Sequence, residues 1–205
     1  MTKFILVRHG ETEWNRARRI QGSASDTPLS EIGKHQAEAL ALRLKNEPIR
    51  AIYSSPLQRA RDTALAIARH HQLEVTALAS LKEIDAGELE GVLSADLRQR
   101  FDEFICRNDH EQEFIKLPGG ESVGDVQKRA WETIKTIAGQ HADGTVAVVT
   151  HYFVIMAIIC KVLNLPLSQM IHLRLSTGTI SSFTLDGSDS ARLELFNDGC
   201  HNPSH

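Results

Sequence analysis

The chain has 205 residues and a formal net charge of −3, with 41% hydrophobic and 24% charged residues. This length and composition fit one globular domain and exclude disordered, collagen-like and coiled-coil proteins. The slight negative charge argues against a general affinity for nucleic acid or for an anionic membrane.

In the first part of the chain, apolar runs predict strands and amphipathic segments predict helices. Strands are expected at Lys3–Arg8, Ala51–Ser54 and Leu73–Leu78. The helix after the first strand has Ser30 as its expected N-cap and places Ile32 and Leu44 on its inner face. A further helix opens at Pro56, because proline fits the first helical turn, and runs to about His71.

The middle of the chain is less regular, and a regular pattern returns after it. A loop at Ile84–Gly91 is followed by predicted helices at Leu93–Arg107 and Ser122–Gln140. Gly144–Thr150 has no polar alternation, which is typical of an interior strand covered on both faces. The last predicted elements are a helix at Tyr152–Leu163 and a hairpin of strands at Thr179–Leu185 and Arg192–Asn197.

Strands that alternate with helices predict an α/β protein, a three-layer α/β/α fold with a mainly parallel central sheet and the hairpin at one edge. Ligands of such sheets bind beyond the carboxyl ends of the strands. A histidine follows two of the predicted strand ends, His9 after the first strand and His151 after Gly144–Thr150. We therefore expect His9 and His151 to share a site.

The residues around these histidines are suited to phosphate chemistry. A neutral imidazole is a nucleophile near neutral pH, and the guanidinium of Arg8 matches the shape and charge of a phosphate. Arg59 lies near the first turn of a helix, where anions are favoured. Each residue also has a structural alternative: a loop hydrogen bond for His9, a solvated helix face for Arg59, and a place in the core for His151.

Five blocks, in order along the chain, resemble the histidine phosphatase superfamily in its phosphoglycerate mutase-like branch. They are Leu6–Asn15 with Arg19–Gly22 and Pro28–Ser30, Ser54–Leu57 with Arg59-Ala60 and Thr63-Ala64, Leu81–Glu83 with Gly87 and Glu90-Gly91, Leu117–Ser122, and Val148–His151. The resemblance implies a single histidine phosphatase domain over residues 1–205, with a phosphoglycerate mutase-like fold. Residues 81–120 would form an irregular insertion over the active site.

The resemblance also implies the role of each site residue. His9 would attack phosphorus and become phosphohistidine, and Glu83 would protonate the leaving alkoxide and later take a proton from water. Arg8, Arg59 and His151 would hold the phosphoryl oxygens. The implied substrate contacts are Asn15, Arg19, Gln21, Gly22 and Tyr152.

Two consequences follow for the chemistry of this site. Fixed arginine charges would compensate the phosphate, so we expect no metal and no cofactor. The acid must be protonated when the ester oxygen leaves, so we expect a raised pKa for Glu83 and an acidic to near-neutral optimum. Asp85 and Glu88 lie on the same loop and are rival acids.

One position departs from the family pattern, which usually has glycine after the second histidine. Here Tyr152 stands at that position, where its ring would narrow the substrate range or supply a stacking face. The chain is shorter than the glycolytic mutases of the family, and it is more similar to the small phosphatases, including the α-ribazole and broad-specificity types.

We therefore expect a phosphomonoesterase that acts on a small phosphorylated metabolite. Two alternatives stay open: a phosphoglycerate mutase-type phosphoryl transfer and a phosphate-binding regulator without turnover. Specificity would rest on residues 84–120 and 172–185, where no motif identifies the substrate. The sequence also leaves the oligomeric state open, with a homodimer among the alternatives.

The cysteines and apolar runs indicate where the protein works. Cys106, Cys160 and Cys200 are widely spaced and form no Cys-x-x-Cys pair, which is typical of a reducing compartment. Phe4–Val7 is too short for a signal peptide, and Tyr152–Cys160 is far shorter than the ~20 residues of a membrane span. We expect a cytoplasmic protein with no membrane partner.

Overall fold

A computed structural model of the protein describes residues 1–96, 116–187 and 190–202. The strands are β1 (Thr2–Arg8), β2 (Ile49–Ser54), β3 (Val75–Ala77), β4 (Thr145–Thr150), β5 (Ile180–Leu185) and β6 (Ala191–Asp198). The helices are α1 (Glu13–Arg16), α2 (Glu31–Leu44), α3 (Gln58–His71), α4 (Val123–Gln140) and α5 (Tyr152–Val162), with 3-10 turns at Ala79–Leu81, Gly87–Leu89 and Leu167–His172.

The six strands form one sheet in the order β3-β2-β4-β1-β5-β6. The first four of these strands run parallel, while β5 is antiparallel to β1 and to β6. The predicted α/β fold with a mainly parallel sheet and an edge hairpin is therefore confirmed.

Alternate residues of the central strands face two separate hydrophobic clusters. Phe4 and Leu6 of β1 pack with residues of α4 and α5, whereas Ile5 and Val7 pack with residues of α2 and α3. Every residue of β4 is buried, as expected for an interior strand with helices on both faces. The sheet is thus the middle of three layers.

The start of α2 differs in detail from the prediction. Ser30 caps the helix as expected, with its hydroxyl accepting from the Gly33 amide, but Ile32 is 46% exposed rather than on the inner face. The inner face instead contains Gly33, Ala37 and Leu40. Because each residue turns a helix by about 100°, a position adjacent to Gly33 cannot share its direction.

Part of the middle segment lies outside the described residues. The predicted helix Leu93–Arg107 extends into residues 97–115, which belong to that part. Cys106 lies there too, while Cys160 is buried and Cys200 is exposed, both as free thiols. Within the described ranges, no helix combines the length and the apolar character that crossing a membrane requires.

Candidate active site

The register of the two central strands brings His9 and His151 together. Arg8 pairs with Thr150 at the carboxyl ends of β1 and β4, so the next residue of each strand leaves the sheet beside the other. The His9 amide donates to the Thr150 carbonyl at 3.1 Å. The two imidazole rings lie 5.0 Å apart between centroids, as the pattern of histidines at strand ends predicts.

One hydrogen bond sets the protonation of the His9 ring. Nδ1 lies 2.7 Å from the Gly10 carbonyl, which can only accept, so Nδ1 carries the proton and Nε2 keeps its lone pair. The side chain is buried. Burial, followed by the charges of Arg59 and Arg8, lowers the pKa of His9 well below its usual range. His9 is therefore a neutral imidazole at neutral pH, with the Nε2 lone pair available.

Two guanidinium groups, those of Arg59 and Arg8, place positive charge beside the His9 ring. Arg59, at the start of α3, is fully buried, and it donates from Nη1 to the Ser25 carbonyl at 2.8 Å and from Nη2 to the Gly22 carbonyl at 3.0 Å. Arg8 donates to the Leu175 carbonyl at 2.6 Å. Burial lowers the pKa of Arg8 to about 10, so the side chain stays charged near neutral pH.

Buried polar atoms of Arg8, Arg59 and His151 have no partner among the described residues. Both ring nitrogens of the fully buried His151 lack a hydrogen bond, and so do Nε of Arg59 and Nε of Arg8. Burial lowers the pKa of His151 well below its usual range, with contributions from Arg59 and His9. Buried polar atoms normally have partners, so these groups are suited to receive a polar ligand.

A buried carboxyl group completes the cluster of charged groups. Glu83 is 4% exposed, and its Oε1 accepts from the amides of Ile84 at 2.9 Å and of Phe153, in the first turn of α5, at 3.1 Å. Burial raises the pKa of Glu83, outweighing these hydrogen bonds and the two arginines. The predicted direction of the pKa shift is thus confirmed. Of the rival acids, Asp85 accepts from the Gly87 amide and Glu88 is exposed.

The remaining predicted contact residues belong to the loop that begins at the first motif. Thr12 holds two of them, since its amide donates to Oδ1 of Asn15 and its hydroxyl to Oε1 of Gln21. Gly22 is held by Arg59, as described above. Arg19 is exposed, and its guanidinium donates to a backbone carbonyl. The loop is therefore ordered by its own side chains.

Tyr152 lies at the first residue of α5, directly after His151. Its half-buried ring faces the guanidinium of Arg8, and it also makes an edge contact with Phe153 at a centroid distance of 5.3 Å. The aromatic side chain is thus part of the site that contains His9.

Two residues that the sequence did not single out, Arg129 of α4 and Glu121 just before that helix, contact the backbone on either side of the Glu83 side chain. Arg129 donates to the Glu83 carbonyl at 3.1 Å and forms an ion pair with Glu121. Only Glu121 lies within a recognised block. The sequence signals such a role only by an arginine in the middle of a predicted helix, and the structure shows that this arginine is half-buried.

One further group of side chains in the described part of the chain has metal-binding types. Ligand atoms of Asp198, Cys200 and His201, at the end of β6, lie within 4.8 Å of one another. The Cys200 backbone amide donates to Oδ1 of Asp198 at 3.0 Å, and none of the three belongs to the cluster around His9.

The buried cluster is suited to phosphoryl transfer. That reaction needs a placed nucleophile, positive charge on the transferring oxygens and an acid for the leaving group. His9, the two arginines and Glu83 supply these in one place beyond the carboxyl ends of β1 and β4.

The comparisons with known proteins agree with this chemistry. The sequence model of the "Histidine phosphatase superfamily (branch 1)" matches residues 4–199. Phosphoserine phosphatase 1 of Hydrogenobacter thermophilus is 36% identical over 201 residues, 98% of this chain and 94% of that protein. A metal-independent phosphoserine phosphatase of Arabidopsis thaliana is 40% identical over 79% of this chain and 69% of its own length.

A solved structure shares the fold as well. A mutant phosphoserine phosphatase from Entamoeba histolytica in complex with phosphoserine superimposes with a TM-score of 0.87 at 30% identity. The match covers 98% of this chain and 99% of that one.

Proposed function

The chain belongs to branch 1 of the histidine phosphatase superfamily, and on that premise we propose that it hydrolyses a small phosphomonoester through a phosphohistidine on His9. One observation carries the proposal. The bond from Nδ1 to the Gly10 carbonyl leaves the Nε2 lone pair of a buried, neutral imidazole available beside two arginines. This is the arrangement that an attack on phosphorus requires.

The first half of the reaction transfers the phosphoryl group to the enzyme. Nε2 of His9 forms a bond to phosphorus as the bond from phosphorus to the ester oxygen breaks. The leaving oxygen takes its proton from the Glu83 carboxyl, which burial favours in its protonated form. The products of this step are the free alcohol, a phosphorylated His9 and an ionised Glu83.

The second half restores the enzyme. Water attacks phosphorus, and the Glu83 carboxylate takes a proton from that water while the bond between phosphorus and Nε2 breaks. Inorganic phosphate leaves, His9 is again neutral, and Glu83 is again protonated. Each atom and proton is accounted for, and Glu83 serves as acid and then as base.

The phosphoryl charge is compensated by the chain's own residues in this proposal. A phosphomonoester carries about −1.5 to −2 charges at pH 7. Arg8 and Arg59 supply two positive charges, and the unpartnered ring nitrogens of His151 supply a hydrogen bond. The Arabidopsis relative is named metal-independent, which supports a hydrolysis without a metal ion.

O-phosphoserine is the first substrate to test, because two relatives and one solved neighbour are named as phosphoserine phosphatases. The Tyr152 ring packs against Arg8 and would favour a small leaving alcohol such as serine. We further propose that the chain is one domain in which residues 81–120 cover the site. In the described part of that segment, the Glu88 amide donates to the Pro118 carbonyl.

The test is phosphate release from O-phosphoserine and a panel of other phosphomonoesters, with a chelator present, by the wild type and by His9→Ala. We expect turnover by the wild type alone and an acid-labile phosphate label on the wild type during turnover. Interconversion of 2- and 3-phosphoglycerate without net phosphate release would instead identify a mutase. Binding of phosphate without label or turnover would identify a regulator.

A further inference from the structure

The guanidinium group of Arg129 uses all five of its N–H donors. Nε and Nη2 donate to the two carboxylate oxygens of Glu121 at 2.9 and 3.0 Å. Nη1 donates to two backbone carbonyls, and Nη2 donates to a third. An arginine has five such donors in a rigid plane, so no donor is left for solvent or for a ligand.

The three carbonyls belong to one short segment that ends at the proposed general acid. They are those of Ser80 at 2.7 Å, Lys82 at 2.7 Å and Glu83 at 3.1 Å. Arg129 thus holds a backbone that lies 46 to 49 residues away along the chain. Three hydrogen bonds to the 3-10 turn and the residues directly after it fix the position of this segment more tightly than packing alone.

Glu121 holds the backbone on the C-terminal side of Glu83. Its Oε2 accepts from the Asp85 amide at 2.9 Å, and its own amide donates to the Asp85 carbonyl at 2.9 Å. The bidentate pair with Arg129 fixes the plane of the carboxylate. The backbone is therefore held immediately before and after Glu83 by one ion pair.

The side chain of Glu83 depends on this backbone for its position. Its carboxyl oxygen accepts from the amides of Ile84 and Phe153, so it sits between the held segment and the first turn of α5. A displacement of about 1 Å at a reacting group can cost a factor of about 100 in rate. Two other side-chain hydrogen bonds reach this segment in the described residues, from the Thr150 hydroxyl to the Leu81 carbonyl and from the Thr133 hydroxyl to the Ser80 hydroxyl, both at 2.7 Å. Neither of them reaches Lys82 or Glu83, which Arg129 holds directly.

We propose that Arg129, paired with Glu121, is a positioning residue that sets Glu83 for proton transfer to the leaving group. The inference rests on the proposed function, in which Glu83 is the general acid. Neither Arg129 nor Glu121 touches the phosphoryl group. Their effect passes through the Glu83 backbone and is confined to the step in which a proton moves.

The leaving group separates this role from a structural one. An alkyl ester such as O-phosphoserine needs the proton of Glu83, whereas p-nitrophenyl phosphate releases a stable anion that needs none. The ratio kcat/KM reports the steps up to formation of phosphohistidine. We therefore expect Arg129→Lys, which keeps the charge but loses the planar fork, to lower kcat/KM about 10- to 100-fold for O-phosphoserine and less than about threefold for p-nitrophenyl phosphate.

Three comparisons make the outcome decisive. Lys128→Met removes a neighbouring exposed charge from the same helix and should leave kcat/KM unchanged for both O-phosphoserine and p-nitrophenyl phosphate. Glu83→Gln should reproduce the dependence on leaving group, and adding Arg129→Lys to it should cause no further loss. If thermal unfolding shows that Arg129→Lys does not fold, Glu121→Gln provides the same comparison, because it weakens the same ion pair.

The results distinguish a failure of the positioning role of Arg129 from a failure of the proposed role of Glu83. Equal losses for both substrates with Arg129→Lys, or no loss for either, would overturn the positioning role if Glu83→Gln still shows the dependence on leaving group. Absence of that dependence in Glu83→Gln itself would overturn the proposed role of Glu83, and the positioning role with it.

Discussion

The guanidinium carbon of Arg8 lies 5.2 Å from the centroid of the Tyr152 ring. This cation–π contact joins the residue before the nucleophile to the residue after the second histidine. Such contacts contribute about 0.5–2 kcal/mol, the larger values where the pair is shielded from water. The aromatic ring at the position where the family usually has glycine is therefore an anchor for Arg8 and a wall of the site.

Removal of this ring should change which substrates are accepted. We expect Tyr152→Gly to lower kcat/KM for O-phosphoserine about two- to tenfold, because Arg8 loses its anchor. The ratio of kcat/KM for a bulky phosphomonoester to that for O-phosphoserine should rise. Tyr152→Phe keeps the ring and should preserve both values within about twofold. An unchanged substrate ratio in Tyr152→Gly would show that the ring does not limit the leaving group.

The pH dependence of turnover should follow the burial of His9 and Glu83. The pKa of His9 is lowered and that of Glu83 is raised. His9 must be neutral and Glu83 protonated, so kcat/KM for O-phosphoserine should fall on the alkaline side as Glu83 ionises. Glu83→Gln should lower kcat/KM about 10²- to 10⁴-fold and remove that alkaline limb. A limb that persists in Glu83→Gln would assign it to another group, and Asp85→Asn is the matched control.

Replacement of the same carboxyl group should raise stability although it lowers activity. A raised pKa means that the folded state binds the Glu83 proton more tightly than the unfolded state. This contribution to stability is fully present below the unfolded pKa, near 4.5, and is lost as pH rises through the folded pKa. Glu83→Gln does not ionise, so its free energy of unfolding should exceed that of the wild type at neutral pH.

Urea unfolding of the two proteins across this pH range measures the difference. The gap between Glu83→Gln and the wild type should grow as pH rises and then level off. A gap that is constant with pH would mean that the buried carboxyl group does not titrate in that range. Glu88→Gln, at an exposed position of the same loop, is the matched control and should show no gap.

Inorganic phosphate should stabilise the wild type through Arg59. This side chain is fully buried, and its Nε lacks a partner among the described residues. Phosphate at about 100 times its dissociation constant should raise the free energy of unfolding by about 2.7 kcal/mol. Arg59→Met should lose most of this stabilisation, whereas Arg61→Met, two residues further along α3 and exposed, should keep it. Equal stabilisation of both variants would place the phosphate elsewhere.

The residues of the site were predictable from the sequence to the extent that their signals are local. His9 and His151 each follow an apolar run, and parallel strands bring their carboxyl ends to one edge of the sheet. The cap of α2 was equally readable, since Ser30 accepts from the Gly33 amide three residues on. Ile32 was misplaced because it lies about 100° around the helix from Gly33, outside the buried face to which Ala37, Leu40 and Ala41 belong.

The positioning of Glu83 was not predictable in the same way. The sequence identified Glu83 by its block, but Arg129 reaches it from a helix that begins about forty residues later. No periodicity links two residues whose only relation is a contact across the fold. Such contacts are made by the packing of α4 against the segment that carries Glu83.

The sequence by itself determined the order of strands and helices, the family and the residue types of the site, because these depend on patterns within short stretches of chain. Only the tertiary structure decided which nitrogen of His9 carries the proton, that burial is what raises the pKa of Glu83, and that Tyr152 packs on Arg8. The physical reason is that protonation and orientation depend on burial and on neighbours that are distant in sequence, and these exist only once the chain has folded.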